Sequence, residues 1–429
     1  MKLYNTLSKT IEEFVPNEPG KVKMYTCGPT VYHFAHIGNL RTYIMEDVLE
    51  KFLRYVGYDV TRVMNVTDVG HLTSDGDTGE DKMLKGAKRE HKTVLEIAEF
   101  YRKAFFDDCA KLNIKTPDIV QPATGCIDEF IKIISYLLEH GFAYIAEGNV
   151  YFDTSKAKDY YALSGHNTEE LMVGVRDDVS EDTNKRSKSD FVLWFTKSKF
   201  DDQELKWESP WGLGYPGWHI ECSGISIKYL GERLDIHCGG VDNIFPHHTN
   251  EIAQSEAYVG HKWCNYWFHV QHLNDETGKM SKSKGEFLTA YAKLTKRIAG
   301  LSAAGDVDAA ALDSYRTKFI DAVGQDLNTA QGLTVLYDML KDPAINDATK
   351  RAVAEDFDRV LSLGLIKEAV AEESASEDGD DAWILEKVAE RAEAKKAKNY
   401  ALADAIRAEL LEKGIALVDT KDGTTYTKA

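Results

Sequence analysis

The spacing of apolar positions changes twice within the first seventy residues. "VKMYTC" (22–27) is a short apolar-rich run closing in "GPT", and "NLRTYIMEDVLEKFLRYVG" (39–57) repeats apolar residues at helical spacing until Gly57. "DVTRVMNV" (59–66) is a second extended run. This order predicts strand, glycine-containing turn, helix and strand, a βαβ unit whose ligand site lies beyond the strand ends, beside the helix N-terminus. Cys27 to Asn39 therefore stand at the mouth of that site. From about Lys92 to Gln203 the pattern is mixed, with helices predicted over 93–112 and 124–140, short strands around "AYIAEGNVYFDTS", and the polar stretch "DDVSEDTNKRSKSD". Such material fits an insertion between two halves of one sheet. The alternation resumes with "GWHIECSGISIKYLG" (helix), "LDIHCGG" (strand), "HHTNEIAQSEAYVG" (helix) and "NYWFHVQHL" (strand).

After Thr289 the period is helical throughout, with Asn or Asp at the expected caps. "AEESASEDGDD" (371–381) carries six acids in eleven residues without hydrophobic periodicity and reads as a solvated linker. No internal repeat is present. The expected class is α/β: a doubly wound parallel, Rossmann-type domain split by an insertion, followed by an all-helical region and a small terminal domain. The expected boundaries are 1–118 and 206–289 for the two halves, 119–205 for the insertion, 290–370 for the helical region and 382–429 for the terminal domain.

Composition narrows the class of protein. At 429 residues and 43% hydrophobic content the chain exceeds the usual domain size and sustains a large core. Its longest apolar runs, such as "FVLWF" (191–195), fall far short of the roughly 20 residues of a membrane span. The first residues have no apolar h-region, so a cytoplasmic protein without a membrane partner is expected. The six cysteines, Cys27, Cys109, Cys126, Cys222, Cys238 and Cys264, include no CxxC pair, which argues against a disulfide framework. A formal charge of −18 counts by itself against a polyanionic partner, yet 387–413 offers a local basic face beside its balancing acids.

Three short stretches carry candidate chemistry. "HIGN" (36–39) opens the first helix, where a glycine lets backbone approach a phosphate and an imidazole and an amide donate hydrogen bonds to its oxygens. "GKMSKSKG" (278–285) follows the last strand with three lysines and two serines between glycines, a mobile cationic loop suited to clamping a triphosphate. In "FPHHTNEIA" (245–253), His247 and Glu251 are four residues apart and His248 and Glu251 three apart, so either histidine can share a helix face with the carboxylate. Cys27 and Cys222 each stand at a strand end or helix start, and two thiolates, an imidazole and a carboxylate suit Zn²⁺. Spacing leaves His247 and His248 as open alternatives.

"HIGN" early and "KMSKS" late on a split doubly wound domain resemble the class I aminoacyl-tRNA synthetases. "YTCGPTVYHFAHIGN", "PGWHIECSGIS", "LDIHCGGVDNIFPHHTNEIAQSEA" and "AKKAKNYALADAIRAELLEKGIALVDTKDGTTY" together are similar to the cysteinyl-tRNA synthetase family over nearly the whole chain. The resemblance implies activation of L-cysteine by ATP with Mg²⁺ to cysteinyl-adenylate, then transfer to tRNA(Cys), by a monomer holding one Zn²⁺ per chain. It selects His247 over His248, giving Cys27, Cys222, His247 and Glu251 as the metal ligands. It assigns Cys27, Thr67, Trp218 and His247 to the cysteine pocket and Asp242 to the adenosine ribose. His36, Asn39, Lys279 and Lys282 would align the triphosphate and stabilise its charge, and 382–429 would bind the anticodon. It also implies that the metal takes the substrate thiolate and so separates cysteine from serine without an editing domain.

Three features depart from the family pattern. Asn39 replaces a second histidine, "GEFLT" runs directly into "AYAKLTKRIAGL" where a longer connecting segment is usual, and "GTTYTKA" lacks the terminal tryptophan and arginines, leaving Tyr426 and Lys428 for stacking and phosphate contact. Two other readings compete: a ligase joining activated cysteine to an amino-sugar in mycothiol synthesis, and a catalytically silent cysteine- or RNA-binding paralogue.

Overall fold

The computed structural model describes residues 1–69, 93–165, 184–197, 205–273 and 286–366, and from the terminal segment 387–392, 394, 399, 402–403, 406–407, 409–410, 415–420 and 423–428. Lys279, Lys282 and the acidic stretch 371–381 lie outside the described residues. A hairpin, β1 (Lys2–Asn5) and β2 (Thr10–Glu13), precedes the first strand of the main sheet, β3 (Lys21–Thr26). The "GPT" turn leads to α1 (Ile37–Tyr55), and Gly57, at φ 99°, lets the chain reverse into β4 (Asp59–Val66), parallel to β3. α2 (Val94–Lys111) begins at a capping box in which Thr93 and Glu96 bond each other's backbone N–H. β5 (Ile119–Pro122) then joins β4 in parallel. The first residues of the stretch expected to be an insertion thus form the edge strand of the main sheet.

α3 (Ile127–Glu139) leads into a four-stranded antiparallel sheet of β6 (Ala143–Ala146), β7 (Asn149–Phe152), β8 (Phe191–Phe195) and β9 (Tyr215–Pro216). The chain returns through α4 (Trp218–Leu230), β10 (Leu234–Gly240), α5 (Thr249–Val259) and β11 (Cys264–Val270). β10 is buried along nearly its whole length, as a strand covered on both faces must be. It pairs in parallel with β3 on one side and β11 on the other, giving the order β11-β10-β3-β4-β5. This is the doubly wound order. Its direction reverses between β3 and β10, and the crevice beyond their carboxyl ends is where such folds bind ligands.

Each face of the sheet has its own core. One gathers Tyr25 and Val63 with Phe130, Ile220 and Trp194 from α3, α4 and the antiparallel sheet. The other gathers Val22, Met24 and Phe52 with Phe319, Met339 and Phe357. These last come from α7 (Ala309–Val323), α8 (Thr329–Lys341) and α9 (Asp347–Leu361), which follow α6 (Glu286–Ala299). A polar tie runs alongside: the Tyr55 hydroxyl of α1 donates to Asp356 of α9, which also accepts from Arg316 of α7 at 3.0 and 3.1 Å. The helices therefore share a core with the sheet, and residues Met1–Ile366 form one compact unit. A second unit, Lys367–Ala429, contains the antiparallel hairpin β12 (Ile415–Thr420) and β13 (Gly423–Lys428). Among the described residues no helix is long and apolar enough to cross a membrane.

Candidate metal centre and nucleotide cleft

Cys27 is the first residue past β3, and its N–H donates to the Cys238 carbonyl of β10 at 3.2 Å, which fixes it where the two strands diverge. Cys222 sits one turn into α4. A kink precedes α5, with Phe245 extended (φ −138°, ψ 133°), so His247 and His248 stand just ahead of the helix and Glu251 lies in its first turn. The expected i, i+4 pairing survives this change of geometry, with His247 Nε2 3.0 Å from Glu251 Oε1.

Among the described residues two overlapping donor sets have all their ligating atoms within 4.8 Å of one another: Cys27, Cys222, His247 and Glu251, and Cys27, His237, His248 and Glu251. Tetrahedral Zn²⁺ with bonds of about 2.3 Å to sulfur and about 2.0 Å to nitrogen sets two sulfurs about 3.8 Å apart and sulfur about 3.5 Å from nitrogen. The separations in the first set are 3.9 Å for Cys27 Sγ to Cys222 Sγ and 3.5 Å for Cys222 Sγ to His247 Nε2. The first set also has two thiols where the second has one, and so fits zinc better. His248 remains close, its Nε2 3.2 Å from Cys27 Sγ, while its Nδ1 faces His269 Nε2 at 2.7 Å.

The electrostatics suit a cation. Burial alone would raise the Glu251 carboxyl, but His237 and His247 beside it hold it down at about 2. Burial disfavours the His247 cation, yet Glu251 and Cys222 outweigh it and hold the imidazole up at about 10. The Cys222 thiol, also opposed by burial, is drawn down to about 6 by Cys27 and His247, whereas burial and Cys222 push Cys27 well up. His248, buried among His237 and His269, is held well below the ordinary imidazole value.

Supporting contacts orient the donors. His237 Nε2 is 2.9 Å from Glu251 Oε2, which leaves Oε1 toward the thiols. His219 Nδ1 lies 2.9 Å from His247 Nδ1 and is itself met by Asn250 at its Nε2, 3.0 Å away. The Trp218 indole stacks on the His247 ring, with centroids 3.8 Å apart and planes 9° apart. None of His219, His237 or His269 stands out by motif spacing. The available signal was a histidine inside an otherwise apolar run, as in "LDIHC", because a buried imidazole needs a partner.

Over this cluster opens a cleft of about 750 Å³ lined by Cys27, His36, Asn39, Trp218 and Asp242, among others. His36 caps α1: its Nδ1 accepts from the Gly38 N–H at 3.1 Å, and its own N–H donates to Asn39 Oδ1 at 3.2 Å. These bonds use acceptor atoms, so the cap reading and the phosphate reading of "HIGN" are compatible. Gly240 precedes Asp242 so tightly that a Cβ there would lie 2.3 Å from the Asp242 carboxylate. Of the residues expected in the cysteine pocket, Cys27 and Trp218 line the cleft, His247 lies outside its lining, and so does Thr67. Thr67 is buried, with its hydroxyl donating to Glu221 at 2.9 Å and accepting from Asn65 at 3.2 Å.

A doubly wound sheet with a capped "HIGN" helix at its switch point defines the class: residues 13–300 match the tRNA synthetases class I (C) catalytic domain, and residues 318–363 match the DALR domain. The cysteine–tRNA ligase of Treponema denticola is 45% identical over 491 aligned residues, covering 100% of this chain and 99% of that protein. That of Borreliella burgdorferi is 41% identical over 477, covering 99% of this chain and 98% of that protein. The chain belongs to the cysteine–tRNA ligase family. Since 491 aligned positions exceed the 429 residues present here, the Treponema protein carries segments without a counterpart in this chain.

Proposed function

We propose that this chain activates L-cysteine with ATP and Mg²⁺ to cysteinyl-adenylate and transfers the cysteinyl group to the 3′ end of tRNA(Cys), acting as a cytoplasmic monomer. The observation that carries the reading is the buried Cys27, Cys222, His247 and Glu251 cluster at the floor of the cleft that opens beside His36 and Asn39. Bound Zn²⁺ would supply a soft Lewis acid that favours a thiolate over a hydroxyl, which selects cysteine against serine. Cys27, Cys222, His247 and Glu251 would hold it, while Trp218 covers His247 and closes the pocket on the cleft side.

The carboxylate of cysteine then attacks the α-phosphate of ATP. It is already anionic, so no general base is needed there, only alignment and charge stabilisation. His36 and Asn39 donate toward the phosphates from the α1 N-terminus, Asp242 holds the adenosine ribose, and Lys279 and Lys282 neutralise charge on the departing pyrophosphate. Thr67 acts through Glu221 to support the pocket wall.

Incubation with ATP, labelled pyrophosphate and each amino acid tests this. Exchange that depends on cysteine and not on serine is expected, and addition of tRNA(Cys) should yield the cysteinyl ester. Absence of cysteine-dependent exchange would leave the silent paralogue, and exchange without tRNA charging would leave a ligase of another acceptor.

A further inference from the structure

The cleft has two unlike walls. At the carboxyl ends of β10 and β11 stand Gly239, Gly240 and Asp242, a backbone-lined wall suited to one nucleoside with its ribose on the carboxylate. The facing wall is built by the loop after β3 and by α2, on the β4 side of the switch point, and it is aromatic: His33, Phe34, Tyr101 and Phe105 all line the same cleft. Tyr101 and Phe105 are buried at its base, whereas Phe34 is 52% exposed. Phe34 is not loose. Perpendicular ring contacts to Tyr101 and Phe100, at centroid distances of 5.0 and 6.0 Å, fix its orientation. A held aromatic ring presented to water inside a polar cleft is the usual form of a stacking platform.

The reaction requires two nucleosides in this cleft. The acceptor hydroxyl must reach the acyl carbon while the adenylate still occupies the Asp242 wall, so the second nucleoside has only the opposite wall to rest on. We propose that the Phe34 wall, backed by Tyr101, is the subsite for the adenine of the 3′-terminal adenosine of the acceptor RNA. Unstacked terminal bases bind proteins chiefly by stacking on such rings. With the base so placed, a ribose hydroxyl attacks the acyl carbon, the new ester C–O bond forms as the acyl–phosphate C–O bond breaks, and AMP leaves with that electron pair. The hydroxyl proton departs to the released phosphate. The proposal rests on the cysteine–tRNA ligase reading.

Binding of two tRNA(Cys) transcripts, one ending in CCA and one cut back to CC, tests it together with cysteine-dependent pyrophosphate exchange on the same preparations. The wild-type protein should bind the CCA transcript tighter than the CC transcript by about fivefold or more. Phe34→Ala should erase that ratio by weakening only the CCA transcript, and Phe34→Tyr, which keeps a ring, should retain it. A ratio unchanged in Phe34→Ala, equal weakening of both transcripts, or a matching rise in the KM for ATP in exchange would each overturn the subsite. Failure of the ligase reading looks different, because wild-type exchange itself would be absent.

Discussion

Glu251 Oε2 is bound by His237 at 2.9 Å, while its Oε1 lies 3.0 Å from His247 Nε2 without a hydrogen-bond partner of its own among the described residues. A carboxylate oriented in this way is the usual means of fixing a metal ligand, and loss of the orienting partner typically weakens metal affinity 10- to 100-fold. His237→Ala should therefore weaken zinc binding by about that factor in a competition titration with a chromophoric chelator. Cys222→Ala should carry almost no zinc by elemental analysis, and stoichiometric zinc in that variant would contradict the ligand set. Glu46 poses a separate question at this scale. It is fully buried, and although Arg62 lies 3.4 Å away, burial outweighs that cation and pushes the carboxyl up to about 8. A carboxyl raised in the folded state disfavours folding once the unfolded chain ionises. Stability linked to Glu46 should fall as pH rises from about 4.5 to about 8. Glu46→Gln should remove that slope, the gap between variant and wild type in urea denaturation widening across this range; a constant gap would refute it.

At the scale of elements, α1 connects the two sides of the molecule. Its N-terminus presents His36 and Asn39 to the cleft, and its C-terminal turn places Tyr55 against Asp356 of α9. Because His36 is both cap and proposed phosphate ligand, the two roles are separated by His36→Asn, which preserves an N-cap acceptor. Thermal stability should change by no more than about 0.5 kcal/mol, while the exchange rate falls on the order of 100-fold. Asp356 is opposed by burial, yet Arg316 and the Tyr55 hydroxyl hold its carboxyl below the ordinary range. It therefore contributes stability above the unfolded pKa that is lost as pH falls through the lower folded value. Asp356→Asn should cost roughly 1–3 kcal/mol at pH 7 and progressively less toward pH 3, measured by denaturant titration. The period of the sequence foretold these elements closely. "DVTRVMNV" is β4 residue for residue, and the predicted helices over 93–112 and 124–140 became Val94–Lys111 and Ile127–Glu139. The kink before α5 escaped it: Phe245 is extended, as a residue ahead of a proline tends to be, and one such residue leaves no mark on hydrophobic spacing.

On the scale of the whole molecule, the shared core of Phe52, Phe319 and Phe357 makes the helices after residue 300 part of the fold that carries the cleft. A chain ending at Ile366 should fold cooperatively and keep cysteine-dependent exchange, since Cys27, His36, Asp242 and Glu251 all lie within Met1–Ile366. A chain ending at Leu301 should fail to fold, because it removes Phe319, Met339 and Phe357 from the core they share with Phe52 of α1; circular dichroism melts of the two chains decide. The match of residues 318–363 to the DALR domain gives this region a family identity that helical period alone could not supply.

The sequence by itself determined the alternation of strand and helix and the split of the sheet, and it brought forward Cys27, Cys222, Glu251 and the His247–His248 pair as candidates. Each depends on short-range spacing or on a local motif, and both are written along the chain. Only the tertiary structure decided that Ile119–Pro122 closes the parallel sheet, that His219 and His237 brace His247 and Glu251, and that Phe34 and Asp242 line one cleft. These relations join residues distant in the chain through the order β11-β10-β3-β4-β5. Strand order is set by which buried faces pack together, and a hydrophobic pattern says that a face is buried without saying against what.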